Sequence, residues 1–163
     1  MTGRTEASDE RTRTIDEQRL TIQELQTPII QIWDGVLAMP IVGTIDTARA
    51  QEMNEALLQR IVDTGAEIVI LDITGVPVID TALAKHLLET VSAARLLGAE
   101  VLIVGLSART AMTMVHLGLD LSGVITRTTM AQGLRLAFDR LGLDVVRRGG
   151  AAFGGHQSDK SGS

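Results

Sequence analysis

The chain has 163 residues, of which 45% are hydrophobic, enough for one domain with a real core. Its formal charge of −5 and pI near 5.1 argue against a nucleic-acid binder, whose footprint is a basic face. No cysteine is present, which removes disulfides, thiolate chemistry and cysteine-ligated zinc and suits a reducing compartment.

In chain order, Met1 to Arg13 is polar and charged, with no apolar stretch of the signal-peptide kind, and is expected to be a disordered lead. Every apolar run in the chain stops well short of the ~18 residues a membrane span needs. The expectation is a soluble, cytoplasmic protein with neither membrane nor nucleic acid as partner. Ile15, Ile22 and Leu25 form a short seam of the a/d kind that predicts a linker helix over 14–27, ended by Pro28. One or two heptads cannot hold a coiled coil alone, and a frayed lead-in fits the same pattern.

Two extended segments follow, 29–33 and 36–42, and Asp34-Gly35 between them is a hairpin signal. A helix is expected over 46–64, with Ala50, Met53, Leu57 and Ile61 on its inner face and Gly65 as its stop. The β-branched run 67–73 suits a strand buried on both faces. A second helix over 80–97 carries Leu83, Leu87, Val91 and Ala94 inward and ends at Gly98. A strand over 101–104, a helix over 107–117 closed by Gly118, and a strand over 124–126 continue the alternation. Thr128 or Thr129 then caps a last helix, with Met130, Leu134, Phe138 and Leu141 inward. From residue 144 the chain reads as a disordered tail rich in glycine, serine and charge. The order ββαβαβαβα predicts a single α/β domain over 28–143, with a mixed sheet flanked by about four helices. Trp33, Phe138 and Phe153 are its only aromatics, so the core is aliphatic and offers few rings for stacking bases.

The tetrapeptide Ile-Asp-Thr-Ala occurs twice, at 45–48 and 79–82, each time where an extended segment gives way to a helical pattern. Thr47 and Thr81 thus fall on the first turns of two helices, behind the acidic cap candidates Asp46 and Asp80. Free N–H groups and the helix dipole favour negative charge there. A phosphoryl group on either threonine is locally tolerated and adds about −1.5 to −2 charges to the surface. Ordinary N-capping accounts for the same pattern without any further role.

Catalytic chemistry is scarce. His86, His116 and His156 are far apart and lack second ligands at metal spacing. Gly105-Leu106-Ser107-Ala108-Arg109 follows a nucleophile elbow only until its fifth residue, where glycine is needed, so Ser107 reads as a helix cap. No phosphate-binding glycine loop occurs. Asp46, Asp72 and Asp80 could meet at the carboxyl ends of strands, where open α/β sheets place their sites. Capping and loop solvation explain them better than a Mg²⁺ site. No cofactor, no metal and no enzymatic activity are expected. The balance favours a binding or switch module.

Residues 27–51 (TPIIQIWDGVLAMPIVGTIDTARAQ), 70–105 (ILDITGVPVIDTALAKHLLETVSAARLLGAEVLIVG) and 115–134 (VHLGLDLSGVITRTTMAQGL) resemble the C-terminal STAS domain of RsbR-type stressosome proteins. The likeness runs from Gln23 to Leu141, and Gly43–Ala50 and Asp72–Leu88 are its most specific blocks. It implies membership of the anti-sigma factor antagonists of bacterial stress signalling, which are substrates of a serine/threonine kinase and perform no chemistry themselves. It also implies that Thr47 and Thr81 are phosphoacceptors. Partners implied are an RsbT-type kinase and a small RsbS-type STAS protein, assembled as homo- and hetero-oligomers into a large shell. Phosphorylation of the STAS proteins then frees the kinase.

Typical members carry a sensory domain ahead of the linker helix, whereas about two dozen residues stand there in this chain. A sensorless paralogue, a chain in the small partner's role and a shortened form all fit that departure. Thr81, where the small partner usually has a serine, and the retention of Thr47 favour the RsbR side. The resulting expectation is a scaffold and phosphorylation switch. Asp46, Asp72 and Asp80 would dock the kinase or cap helices around both hydroxyls. A stand-alone antagonist that binds an anti-sigma kinase as a small heterodimer is the near alternative, and a small enzyme or nucleotide-binding module the remote one.

Overall fold

Hydrophobic periodicity and turn chemistry generate nine elements in the order expected from the sequence. The computed structural model describes residues 28–149, so the polar lead, the linker helix expected over 14–27 and everything beyond residue 149 lie outside the described residues. The elements are β1 (Ile30–Trp33), β2 (Val36–Val42), α1 (Thr47–Thr64), β3 (Ile68–Gly75), α2 (Thr81–Leu96), β4 (Glu100–Val104), α3 (Ala108–His116), β5 (Ile125–Arg127) and α4 (Met130–Arg140). Asp34-Gly35 supplies the turn between β1 and β2, with Gly35 at φ +82°. The two strands pair antiparallel, Ile30 opposite Ala38 and Trp33 opposite Val36. Each remaining neighbour is parallel, and the sheet runs β1-β2-β3-β4-β5.

Strand periodicity divides the core into two layers. Leu37, Met39 and Ile41 of β2, Val69, Leu71 and Ile73 of β3, and Val101 and Ile103 of β4 face α1, α2 and α3. Their alternates Val36, Ala38, Ile68, Ile70, Leu102 and Val104 face α4. Both faces of β3 and β4 are therefore covered, which explains why their sequences read as continuous apolar runs. The inner stripe of α1 is Ala50, Met53, Leu57 and Ile61, as its spacing predicts. In α2 the buried set adds Ala84 and Thr90 to the expected four. Thr90 is the one buried polar side chain among the described residues; its hydroxyl bonds the His86 carbonyl at 2.9 Å and pairs with Asn54 of α1.

The last helix departs from expectation. Gly133 and Ala137 are its buried residues, whereas Met130, Leu134 and Leu141 only flank the core. Phe138 is half-buried and meets Trp33 edge-on, with ring centroids 5.7 Å apart and planes at 87°. The reason is close approach: a Cβ on Gly133 would lie 2.5 Å from Val104 Cγ1. Small residues let the helix sit down on the sheet, and the large ones splay to either side. Gly133→Val is therefore expected to destabilise the domain by about 2 kcal/mol through overpacking, read as a lower urea midpoint at unchanged slope.

Candidate functional site

In a parallel sheet every strand-to-helix turn falls at the same end. The carboxyl ends of β2, β3, β4 and β5 thus gather the first turns of α1, α2, α3 and α4 on one rim of the domain. Each first turn needs its free N–H groups satisfied, and each has a hydroxyl at hand. What differs is which side chain does the capping.

For α3 and α4 the hydroxyls are consumed. Ser107 Oγ accepts from the Thr110 N–H at 3.1 Å and donates to Thr110 Oγ1 at 3.0 Å. Thr129 Oγ1 accepts from the Gln132 N–H at 3.2 Å, and Gln132 Oε1 accepts from the Thr129 N–H at 3.3 Å, a capping box. For α1 and α2 a carboxylate caps instead. Asp46 Oδ1 accepts from the Arg49 N–H and Asp80 Oδ1 from the Leu83 N–H, each at 2.8 Å. Their carbonyls accept from Ala50 and Ala84 at 2.9 and 3.0 Å. Thr47 and Thr81, one residue further on, are exposed and take no part in the caps. An acidic cap followed by a threonine leaves the hydroxyl available to another molecule. The two copies of Ile-Asp-Thr-Ala share their capping geometry as well as their sequence.

The turns that carry these threonines are tied together. The Gly43 N–H donates to the Gly75 carbonyl at 3.0 Å, across the ends of β2 and β3. Gly75 allows this because a Cβ there would stand 3.2 Å from both the Ile41 carbonyl oxygen and Val42 Cγ2. Arg49 reaches back so that Nη1 donates to the Thr44 carbonyl at 3.3 Å. Neither tie is visible in local spacing. Val42, 61% exposed, and Val78, 73% exposed, add apolar surface beside the two turns.

Asp72 is placed differently from the other two aspartates. It is half-buried, and Oδ1 accepts from the Thr74 N–H at 3.0 Å and from Thr74 Oγ1 at 2.6 Å. It caps no helix. Among the described residues no three His, Cys, Asp or Glu side chains stand close enough to hold a metal ion, Asp46, Asp72 and Asp80 included. His86 lies on α2 with Nδ1 3.6 Å from Glu89 Oε2, His116 ends α3, and His156 is outside the described residues. No helix among the described residues is long and apolar enough to cross a membrane.

A mixed five-stranded sheet with three helices on one face and one on the other is a STAS architecture. The chain belongs to the STAS domain family, which it matches over residues 27–132. Within that family it resembles the RsbR-type stressosome proteins. It is 41% identical over 137 residues to the RsbT co-antagonist protein RsbRA of Bacillus subtilis, an alignment covering 84% of this chain and 50% of the relative. To RsbRD of the same organism it is 38% identical over 120 residues, covering 74% of this chain and 43% of the relative. The chain thus spans about half the length of the curated relatives it matches. Among solved structures, an RsbS variant from Moorella thermoacetica superposes with a TM-score of 0.64 at 26% identity, covering 72% of this chain and 99% of that one. A chain of the stressosome, described as a signal integration and transduction hub, gives 0.61 at 27% identity, covering 71% and 98%.

Proposed function

We propose that this chain is a non-catalytic STAS scaffold of a stressosome, which sequesters an RsbT-type serine/threonine kinase and releases it when phosphorylated on Thr47 and Thr81. The observation that carries the reading is the pair of exposed threonine hydroxyls left free by aspartate caps on one rim, where Ser107 and Thr129 are consumed by capping. The similarity to RsbT co-antagonists and to RsbS supports the kinase and a small STAS partner as the molecules bound. In the unmodified state the rim, with Val42 and Val78 beside the two hydroxyls, docks the kinase. Phosphate then adds about −1.5 to −2 charges beside Asp46 or Asp80, and an apposed kinase surface must desolvate that charge or leave.

The test is incubation of the chain with an RsbT-type kinase and ATP, followed by site mapping by mass spectrometry. Phosphate is expected on Thr47 and Thr81 and absent from Ser107 and Thr129. A kinase active on another STAS substrate that leaves both threonines unmodified would sink the reading. Particle size separates the scaffold from a stand-alone antagonist: a megadalton assembly with an RsbS-type partner is expected, and a persistent small heterodimer with the kinase is the contrary result.

A further inference from the structure

The two threonine-bearing turns share one tie, and each has a further clamp of its own. The turn before Thr47 is held by Arg49 Nη1 on the Thr44 carbonyl and by Gly43 on Gly75. The turn before Thr81 begins at Thr74, and there the holding group is Asp72. One carboxylate oxygen accepts both the backbone N–H and the hydroxyl of Thr74, at 3.0 and 2.6 Å, which closes a local turn at the end of β3. Gly105, at the end of the neighbouring β4, lies directly against this turn. A Cβ on Gly105 would stand 2.2 Å from Thr74 Oγ1, 2.6 Å from the Thr74 nitrogen and 2.9 Å from Asp72 Oδ1. Asp72 and Thr74 of β3 and Gly105 just past β4 thus enclose one hydrogen-bonded turn. Beyond it the Val76 N–H donates to the Ile73 carbonyl at 3.0 Å, Val76 and Ile79 are buried, and Pro77 and Val78 are exposed. The direction in which the chain leaves Thr74 decides whether Val76 and Ile79 reach the core, and hence where Asp80 starts α2 and Thr81 is presented.

We propose that Asp72 is a positioning residue for phosphorylation of Thr81, acting through Thr74 and Gly105, and that its charge does not contact the kinase. The role rests on the proposed function, since it concerns how that function's acceptor is held. It also weighs more on one of the two sites, because the Thr47 turn has a further hold in Arg49 Nη1 on the Thr44 carbonyl, besides the Gly43–Gly75 bond that it shares with the end of β3. Kinase access to the two threonines can therefore be set unequally within one domain. The requirement is for an acceptor oxygen at the Asp72 Oδ1 position, which an asparagine also supplies.

The test uses the full chain with an RsbT-type kinase and ATP, with rates read separately at each threonine by mass spectrometry. Asp72→Ala and Thr74→Val are expected to slow Thr81 by ~10-fold or more, in line with the cost of misplacing a reacting group, while Thr47 stays within ~3-fold. Asp72→Asn and Thr74→Ser are expected to restore Thr81. An asparagine variant as slow as the alanine variant would mean that the charge matters, and would overturn the proposal in favour of direct contact. Equal slowing at Thr47 and Thr81 would overturn it as well. A second measurement needs no kinase: amide exchange at 75–80 is expected to speed up in Asp72→Ala and not in Asp72→Asn, with 44–50 unchanged. Identical exchange in the two variants refutes the anchor. A wild-type chain unmodified at both threonines refutes the functional reading instead, and exchange still decides the anchor.

Discussion

Replacing Gly105 by alanine is expected to cost the domain about 3 kcal/mol. Two effects add at this position. Gly105 has φ +87°, which costs an L-residue roughly 1–2 kcal/mol. The new methyl would also meet Thr74 Oγ1 at 2.2 Å and the Thr74 backbone nitrogen at 2.6 Å. The side chain can rotate away only by giving up its bond to Asp72, and the backbone cannot rotate at all. Overpacking of this kind adds about 1–3 kcal/mol. Urea denaturation checks the sum, and a midpoint unchanged from wild type would mean that β4 and the Thr74 turn are not packed as described. The contrast with Gly98 sharpens the expectation: it too has a positive φ, of +86°, but nothing lies within 4 Å of its Cβ position. Gly98→Ala should show the conformational cost alone, about 1 kcal/mol.

The second large effect concerns binding. Phosphorylation of both threonines is expected to weaken kinase affinity by about 100-fold, equivalent to ~3 kcal/mol. The fold itself should be indifferent, because a helix N-terminus tolerates or welcomes an anion by about 0.3–1 kcal/mol. The penalty falls on the interface, where each phosphate sits next to a carboxylate that already caps the helix. Calorimetric titration of the unmodified and phosphorylated chains against the kinase measures the difference, and raising the salt should shrink it by screening. Thr47→Val/Thr81→Val should bind as the unmodified chain does and keep that affinity after incubation with ATP. Equal affinity of the modified and unmodified chains would remove repulsion as the release mechanism.

Local chemistry made much of this readable. Asp34-Gly35 announced the hairpin, and Gly65 at φ +66° and Gly98 ended helices where their position in the pattern required. The stripe of α1 followed its 3.6-residue period because one face meets the sheet and nothing competes for it. In α4 the same reasoning chose Met130, Leu134, Phe138 and Leu141, and the buried residues were Gly133 and Ala137. Periodicity weighs large apolar residues most heavily, whereas close packing of a helix on a sheet selects small ones. Asp72 shows a similar limit. Its place at a strand's carboxyl end grouped it with Asp46 and Asp80 as carboxylates that could meet, and the end of β3 turned it toward Thr74 instead.

The sequence by itself determined the order of elements, both acidic caps and the doubled threonine motif. These depend on hydrogen bonds three or four residues apart and on the alternation of side chains along one strand. Only the tertiary structure decided that both threonines lie on one rim, that Gly43 and Gly75 link their turns, and that Gly105, just past β4, packs on the turn leading to Thr81. Those relations join residues about 30 positions apart through the pairing of β2 with β3 and β3 with β4. No local pattern carries the register of a parallel sheet.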